Sequence, residues 1–180
     1  MTKTKIINYF SGPGAGKSTA AAGLFHEMKK RNYSVEYATE YAKDVVFENT
    51  TILLENQLHI FSEQFRRQFK LLGKVDYIIT DSPILLSCIY FDEYNAKTNR
   101  YDYAYSELTK KYFRETFNQF DNINYFIHRE STKYVPSGRV ENVDQAISLD
   151  QKIKDYLNHY NIPYQMVLQE TAVITILNQL

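Results

Sequence analysis

The segment Ser11-Gly12-Pro13-Gly14-Ala15-Gly16-Lys17-Ser18-Thr19 decides the fold of this 180-residue chain. The residues before it, Lys5–Phe10, are mostly apolar and predict a strand, while Lys17–Arg31 carries apolar residues at helical spacing. Glycines between a strand and a helix let successive N–H groups point at one anion, and the helix adds the positive end of its dipole. The segment therefore predicts a phosphate-binding loop that uses Gly12–Thr19.

Two side chains of this loop carry the chemistry expected of a triphosphate site. Lys17 brings a mobile cation to the β- and γ-phosphates, and the hydroxyl of Ser18 is a ligand for magnesium. Ser11 stands where such loops usually have glycine, but the Gly-Lys-Ser-Thr core that follows is intact. The expected cofactors are ATP and Mg²⁺, and the sequence does not separate ATP from GTP as the donor.

Composition narrows the class of protein. The chain is 44% hydrophobic and 23% charged, which is typical of a globular protein. Lys+Arg and Asp+Glu are both 21, so no global field favours nucleic acid or a membrane surface. A single cysteine, Cys88, excludes an internal disulfide and a cysteine-cluster metal site. No run approaches the ~20 apolar residues of a membrane span, and no signal-peptide pattern precedes the first strand, so a cytoplasmic location is expected.

The rest of the chain alternates short apolar runs with longer helical stretches, a pattern typical of α/β proteins with a parallel sheet. The further predicted strands are Ser34–Ala38, Asp76–Thr80, Asn124–His128 and Pro163–Leu168. The further predicted helices are Glu40–Glu48, Ile52–Leu72, Ile84–Tyr94, Tyr103–Phe120, Asp150–Tyr160 with a start near Val143, and Thr171–Leu180. We expect one domain over residues 1–180, a doubly wound five-stranded sheet, and a ligand at the carboxyl ends of its strands.

Two carboxylates follow predicted strands at that edge. Asp81 comes directly after the third strand, where it can hold magnesium through water or orient an acceptor hydroxyl. It can instead cap the helix that Pro83 begins. Glu40 follows the second strand and is a candidate general base, although it also suits the first turn of a helix. Asp44, one turn later, is the weaker candidate for the same role.

Cations follow the fourth predicted strand in a polar loop near residues 129–143. Arg129 and Lys133 share a face if this segment is helical, and Arg139 is a further candidate for the nucleotide. Cations that close over a transferring phosphoryl group stabilise its spreading charge and exclude water. The loop is therefore interpreted as a basic lid, with a solvated polar loop as the alternative.

The predicted helix Ile52–Leu72 contributes polar side chains to the acceptor side. One of its faces offers Gln57, Gln64 or Arg67 to a pocket beside the phosphate loop. The sequence contains no His/Cys/Asp/Glu set with zinc spacing and no Ser-His-Asp signature.

The phosphate loop, Thr39-Glu-Tyr-Ala, Gln57, Tyr77-Ile-Ile-Thr-Asp-Ser-Pro and the basic lid together resemble small P-loop nucleoside and nucleotide kinases. Their order is most similar to the AAA-type ATPase/kinase domain related to the nicotinamide riboside kinase part of bifunctional NAD-biosynthesis proteins, which is often phage-encoded as a stand-alone chain. Asp81-Ser82-Pro83 departs from the Asp-Arg-Ser or Asp-Thr-Asp of many nucleoside kinases, so the acceptor's identity stays open.

The resemblance implies a three-layer P-loop NTPase fold with strand order 2-3-1-4-5 and an acceptor site between the ends of strands two and three. Lys17 and Ser18 are then the phosphate and magnesium groups. Glu40 and Asp81 become acidic residues of the acceptor side, and Arg129 and Lys133 become lid cations. Dimers are common in this superfamily, so a homodimer is expected.

Three functions fit these residues. The first is an ATP- and Mg-dependent kinase for a nucleoside, a nucleotide or a nicotinamide-riboside-like small molecule. The second is an ATP-binding switch or ATPase that regulates a partner protein. The third is a kinase for DNA ends or modified bases, against which the neutral charge argues because an extended nucleic-acid surface is basic.

Overall fold

A computed structural model describes residues 4–129 and 140–180 of the chain. Within them, the strands are β1 (Lys5–Phe10), β2 (Val35–Ala38), β3 (Tyr77–Thr80), β4 (Asp121–His128) and β5 (Gln165–Leu168). The helices are α1 (Lys17–Lys30), α2 (Tyr41–Phe47), α3 (Gln57–Phe69), α4 (Leu86–Thr98), α5 (Tyr103–Asn118), α6 (Val143–His159) and α7 (Ala172–Leu177), with a 3₁₀ helix at Thr51–Glu55. In this part of the chain no helix is long and apolar enough to cross a bilayer.

The strands form one sheet in the order β2-β3-β1-β4-β5, and every neighbouring pair is parallel. The predicted α/β class and strand order are therefore confirmed. Parallel strands with helical crossovers are covered on both faces, which explains why their apolar runs are nearly continuous. Ile7, Ile79 and Ile127, from the three central strands, have no exposed surface.

Two apolar layers cover the sheet. On one face, α1 and α7 pack with the central strands through residues such as Leu24 and Ile176. On the other face, side chains of α3, α4, α5 and α6 form the second layer, in which the ring centroids of Phe61 and Phe113 stack at 4.2 Å. Cys88 lies in this second layer, where burial raises the pKa of its thiol to about 12. Together the layers hold the carboxyl ends of the strands in fixed positions around one edge.

The prediction of one helix over Ile52–Leu72 was wrong. A 3₁₀ helix ends at Glu55, Asn56 leaves helical geometry with φ −96° and ψ 80°, and α3 begins at Gln57. The Asn56 side chain accepts a hydrogen bond from His59 N at 3.2 Å, which is the ordinary way that asparagine caps a helix. The apolar spacing continues through this break, so periodicity alone did not show it.

The end of α4 and the start of β4 also differ from the prediction, because this helix and this strand include polar residues. Helix α4 continues to Thr98 and ends at Asn99, whose left-handed φ of 46° suits a helix end. Strand β4 begins at Asp121 rather than Asn124. Its first residues are polar, but Asn8 Nδ2 donates to Asn122 Oδ1 at 2.9 Å and to Asn124 Oδ1 at 3.0 Å. This amide cluster satisfies the asparagines inside the sheet, so the strand tolerates them.

Candidate active site

The phosphate loop connects the end of β1 to the start of α1. Gly16, immediately before α1, has φ +95°, a left-handed conformation that glycine adopts at little cost. Lys17 Nζ donates to Ser11 O at 2.7 Å and to Gly12 O at 2.9 Å, so the ammonium lies over the loop. Burial lowers the pKa of Lys17, while the charges of Glu40 and other nearby carboxylates oppose that shift. The Lys17 ammonium is therefore held where it would contact an anion bound in the loop.

Helix α6 packs directly against the loop at Gly12. A Cβ on Gly12 would lie 2.5 Å from Ala146 O, so no larger residue fits without moving α6. Gly12 N donates to Asp150 Oδ1 at 2.5 Å. Glycine is thus required at position 12 by a close approach, and the buried carboxylate of Asp150 fixes the backbone of the loop.

Arg129, at the end of β4, completes this contact. Its Nε donates to Asp150 Oδ2 at 2.7 Å and its Nη2 donates to Pro13 O at 2.8 Å. The Asp150 carboxylate therefore joins the loop to Arg129. The structure places Arg129 at the phosphate loop, while its role as a lid cation stays a prediction. Lys133 and Arg139 lie outside the described residues, so their predicted roles are not tested.

Asp150 was missed in the sequence analysis, although a signal was present. It interrupts the buried stripe of α6 that Ala146, Leu149, Ile153 and Leu157 form. An acid on such a stripe needs a buried partner, because an unpaired charge in an apolar layer is costly. The prediction of a helix that starts near Val143 was right, but the position of Asp150 among its apolar residues was not considered.

The Asp150 contact leads to a prediction about stability. Both partners have side chains only 11% exposed, so Asp150→Ala leaves the Arg129 guanidinium buried without its carboxylate. We expect the free energy of unfolding to fall by about 3 kcal/mol in urea titrations. In the control Glu63→Ala, which removes a surface pair with Arg66, the loss should stay below about 1 kcal/mol. Equal losses in both variants would contradict the inference that Asp150 braces the loop.

Asp81 lies at the end of β3, beside the loop, and is 2% exposed. Its Oδ1 is buried and has no hydrogen-bond partner in the part of the chain that the structure describes. The hydroxyl of Tyr37, on β2, interacts with both Asp81 and Ser18. Burial, and then the charge of Asp81, raise the pKa of that hydroxyl. Tyr37 was not singled out in the sequence, because a tyrosine in a strand is indistinguishable there from core.

These residues fit a magnesium ion bound together with a nucleotide. Mg²⁺ keeps several waters and binds through one or two carboxylates and substrate phosphates, so it needs few protein ligands. Ser18 offers a hydroxyl, and Asp81 offers a buried oxygen without a hydrogen-bond partner among the described residues. No group of three or more His, Cys, Asp or Glu that could hold a metal occurs among residues 4–129 and 140–180. The donor set is therefore suited to a metal–phosphate complex rather than to an all-protein metal cage.

Glu40 lies between β2 and α2 and lines the same cavity as Lys17 and Ser18. It stands at the N-cap position of α2 but makes no capping hydrogen bond with its side chain. Burial raises the pKa of Glu40, whereas Lys17 and Lys43 lower it and Asp81 raises it. A carboxylate whose pKa is raised in a cleft is suited to accept a proton near neutral pH.

Two other acids, on β2 and α2, form ion pairs outside the cavity. Asp44 pairs with Arg67, which also donates to Thr39 Oγ1 at 3.0 Å. Glu36 pairs with Lys29 at 2.9 Å on the surface. Neither acid lines the cavity, and Arg67 does not line it either. Of Glu36, Glu40 and Asp44, Glu40 is the one that lines the cavity together with the phosphate loop.

The cavity continues from the loop into a chamber formed by α2, the 3₁₀ helix, α3 and α4. Gln57 and Gln64 both line it, as the sequence predicted for the acceptor side. Each also has a structural contact: Gln57 Nε2 donates to Leu54 O at 2.7 Å, and Gln64 Oε1 accepts from Tyr41 N at 2.9 Å. The other chamber residues are mostly apolar or aromatic: Val46, Leu54, Ile60, Leu86, Ser87, Tyr90 and Tyr94. The chamber combines flat apolar walls with a few polar groups, which is typical of small-molecule sites.

A glycine-rich loop between the first strand and the first helix, at the carboxyl edge of a parallel sheet, is typical of the P-loop fold. The sequence profile of a family described as an AAA domain matches residues 9–172, so the chain belongs to that family. A search of curated proteins gave no significant match.

Solved structures share the fold. The NadR protein in complex with NR superposes with a TM-score of 0.68 at 14% identity, over 92% of this chain and 45% of that chain. Deoxyadenosine kinase from M. mycoides with bound dATP superposes with a TM-score of 0.58 at 21% identity, over 96% of this chain and 97% of that chain. A structure of the same kinase with bound dCTP gives 0.56 at 18% identity. The chain therefore has a P-loop, nucleoside-kinase-like fold and spans less than half the length of the NadR chain.

Proposed function

We propose that this protein is an ATP- and Mg-dependent kinase that phosphorylates a hydroxyl of a nucleoside, a nucleotide or a nicotinamide-riboside-like small molecule. One observation carries the proposal: the phosphate loop, Glu40 and the chamber, which includes Tyr90 and Tyr94, belong to a single cavity. A donor triphosphate and an acceptor with a flat ring can lie end to end there, which is the arrangement that phosphoryl transfer needs. The fold shared with NadR and deoxyadenosine kinase supports this acceptor class.

Each residue of the site has a separate role in the proposed phosphoryl transfer. An acceptor oxygen attacks the γ-phosphorus, the bond from that phosphorus to the β–γ bridging oxygen breaks, and ADP is the leaving group. Glu40 takes the proton of the acceptor hydroxyl, and Lys17 stabilises charge on the phosphoryl oxygens. Ser18 and Asp81 would hold magnesium, which when bound neutralises charge on the phosphates. Arg129, Lys133 and Arg139 remain candidates for further phosphate contacts.

Transfer of label from γ-labelled ATP tests the proposal. The protein would be incubated with magnesium and a panel of nucleosides, nucleoside monophosphates and nicotinamide riboside. Label that moves to one acceptor establishes the kinase and names its substrate. Release as free phosphate that rises only with a partner protein would favour the ATPase switch instead, and transfer only to DNA would favour the polynucleotide kinase. A homodimer and a cytoplasmic location stay predictions.

Substitution of Asp81 tests the proposed magnesium site. In Asp81→Asn, the side chain keeps its size but loses its charge, so we expect magnesium affinity to fall about 10–100-fold. The measurement is the Mg²⁺ concentration that gives half-maximal phosphorylation at saturating ATP. Asp76→Asn is the matched control, because Asp76 is exposed before the other end of β3. An unchanged magnesium requirement in Asp81→Asn would remove Asp81 from the metal site.

A further inference from the structure

A second lysine reaches the site from the acceptor side. Lys43 lies in the first turn of α2, three residues after Glu40. Its Nζ is 3.2 Å from Ser18 Oγ and 4.0 Å from Glu40 Oε2. Lys43 also lines the same cavity as Lys17. One ammonium therefore lies between the hydroxyl suited to the metal and the carboxylate suited to act as base.

The stability of α2 does not explain this position. The N-terminal end of a helix carries partial positive charge, so a cation in the first turn is unfavourable there. The contact with Glu40 does little to offset this, since it is long at 4.0 Å and both side chains are about one-third exposed. A residue that folding does not favour, placed in a cleft beside titratable groups, is a candidate for function.

The charges around the cavity show what Lys43 could bind. Among the described residues that line the cavity, the cations are Lys17, at the phosphate loop, and Lys43, on α2. A phosphoryl group in transfer spreads negative charge over three equatorial oxygens, and cations arranged around it stabilise that charge. Lys17 can reach those oxygens from the loop, and Lys43 can reach them from α2, the helix that also lines the chamber.

We propose that Lys43 is a further catalytic residue, whose ammonium contacts the γ-phosphoryl group from the acceptor side. The proposal rests on the proposed function, since it assigns a role within the same reaction. A lysine ammonium is a compact charge on a flexible four-carbon stem, so Nζ can exchange Ser18 Oγ for a phosphoryl oxygen a short distance away. Lys43 then contacts ATP but makes no contact with ADP, because ADP lacks the γ-phosphoryl group.

Calorimetric titration of the full chain with MgATP and with MgADP, in the absence of any acceptor, tests this contact. We expect Lys43→Met to weaken MgATP binding about tenfold and to change MgADP binding less than twofold, because only the γ-phosphoryl contact is lost. Lys43→Arg, which keeps the charge, should retain most of the preference for ATP. The control Lys29→Met removes an exposed lysine that pairs with Glu36, and it should change neither affinity.

The possible results separate this inference from the function on which it rests. Equal weakening of both nucleotides would mean that Lys43 only organises the site, and no change in either would mean that it makes no contact; both results overturn the proposal. Loss of the ATP preference in a protein that phosphorylates no acceptor would support the Lys43 contact while the kinase function fails. Should Lys43→Met not fold, Lys43→Gln provides the same comparison.

Discussion

Replacement of Lys17 by alanine is expected to lower kcat for phosphoryl transfer by about 10²–10³-fold, the loss typical of removing one preorganised group that stabilises developing charge. The Lys17 ammonium already lies over the loop, where it donates to Ser11 O and Gly12 O. These contacts hold its charge at the loop, and such preorganised charge costs little reorganisation when negative charge develops on the phosphoryl oxygens. The measurement is the rate of label transfer from γ-labelled ATP at saturating acceptor.

The control for this prediction lies on the same helix. Lys29→Ala removes a lysine near the far end of α1, about 18 Å away by helical rise, and should leave the rate within about twofold. Helix content and thermal midpoint of both variants must match the parent, so that lost activity is not lost fold. A Lys17→Ala protein with normal kcat would exclude the loop lysine from the chemistry and would count against the kinase proposal as a whole.

Replacement of Glu40 by glutamine is expected to remove acceptor phosphorylation while leaving nucleotide binding intact. The amide keeps the size of the side chain but cannot take a proton, so kcat should fall about 10²–10⁴-fold. The affinity for MgADP, measured by calorimetry, should change little, because Lys17, Ser18 and the loop backbone are untouched. Glu36→Gln is the matched control on β2, since Glu36 pairs with Lys29 on the surface and does not line the cavity.

The pH dependence of the parent protein adds a second measurement of Glu40. A base must be deprotonated to act, so the rate should fall as pH decreases through the pKa of Glu40. Burial raises that pKa, which places the acidic limb of the rate profile above the ordinary glutamate range of about 4.3. Lys43 lowers the same pKa, so Lys43→Met should move the limb to higher pH. An acidic limb that is unchanged in Glu40→Gln would show that another group accepts the proton.

The sheet could be predicted from the sequence because its signals are local and strong. A strand, a glycine loop and a helix in succession identified the P-loop class, and short apolar runs such as Tyr77–Thr80 gave the remaining strands. The break at Asn56 and the early start of β4 could not be predicted in the same way. Both depend on side-chain amides that satisfy polar groups, and apolar periodicity contains no information about those hydrogen bonds.

Site residues could be predicted from the sequence where the residue type has one common chemical role and the residue follows a predicted strand. Lys17, Ser18 and Glu40 line one cavity, and Asp81 is buried beside it, although their catalytic roles stay predictions. The residues that were missed reach the site from distant elements or from positions with an ordinary structural explanation: Tyr37 in a strand, Lys43 in a helix and Asp150 within an apolar stripe. Their proximity to the loop follows from tertiary packing, which a single sequence does not specify.

The contact between Gly12 and Asp150 also indicates at which stage of folding the phosphate loop reaches its final geometry. The two residues are 138 positions apart in the chain, yet one hydrogen bond joins them. Long-range contacts form late, because chain entropy must be lost before they can be made. The phosphate loop is therefore fixed in this geometry only after α6 has docked on the sheet, and we expect a chain still emerging from the ribosome with its first three strands formed to lack that constraint.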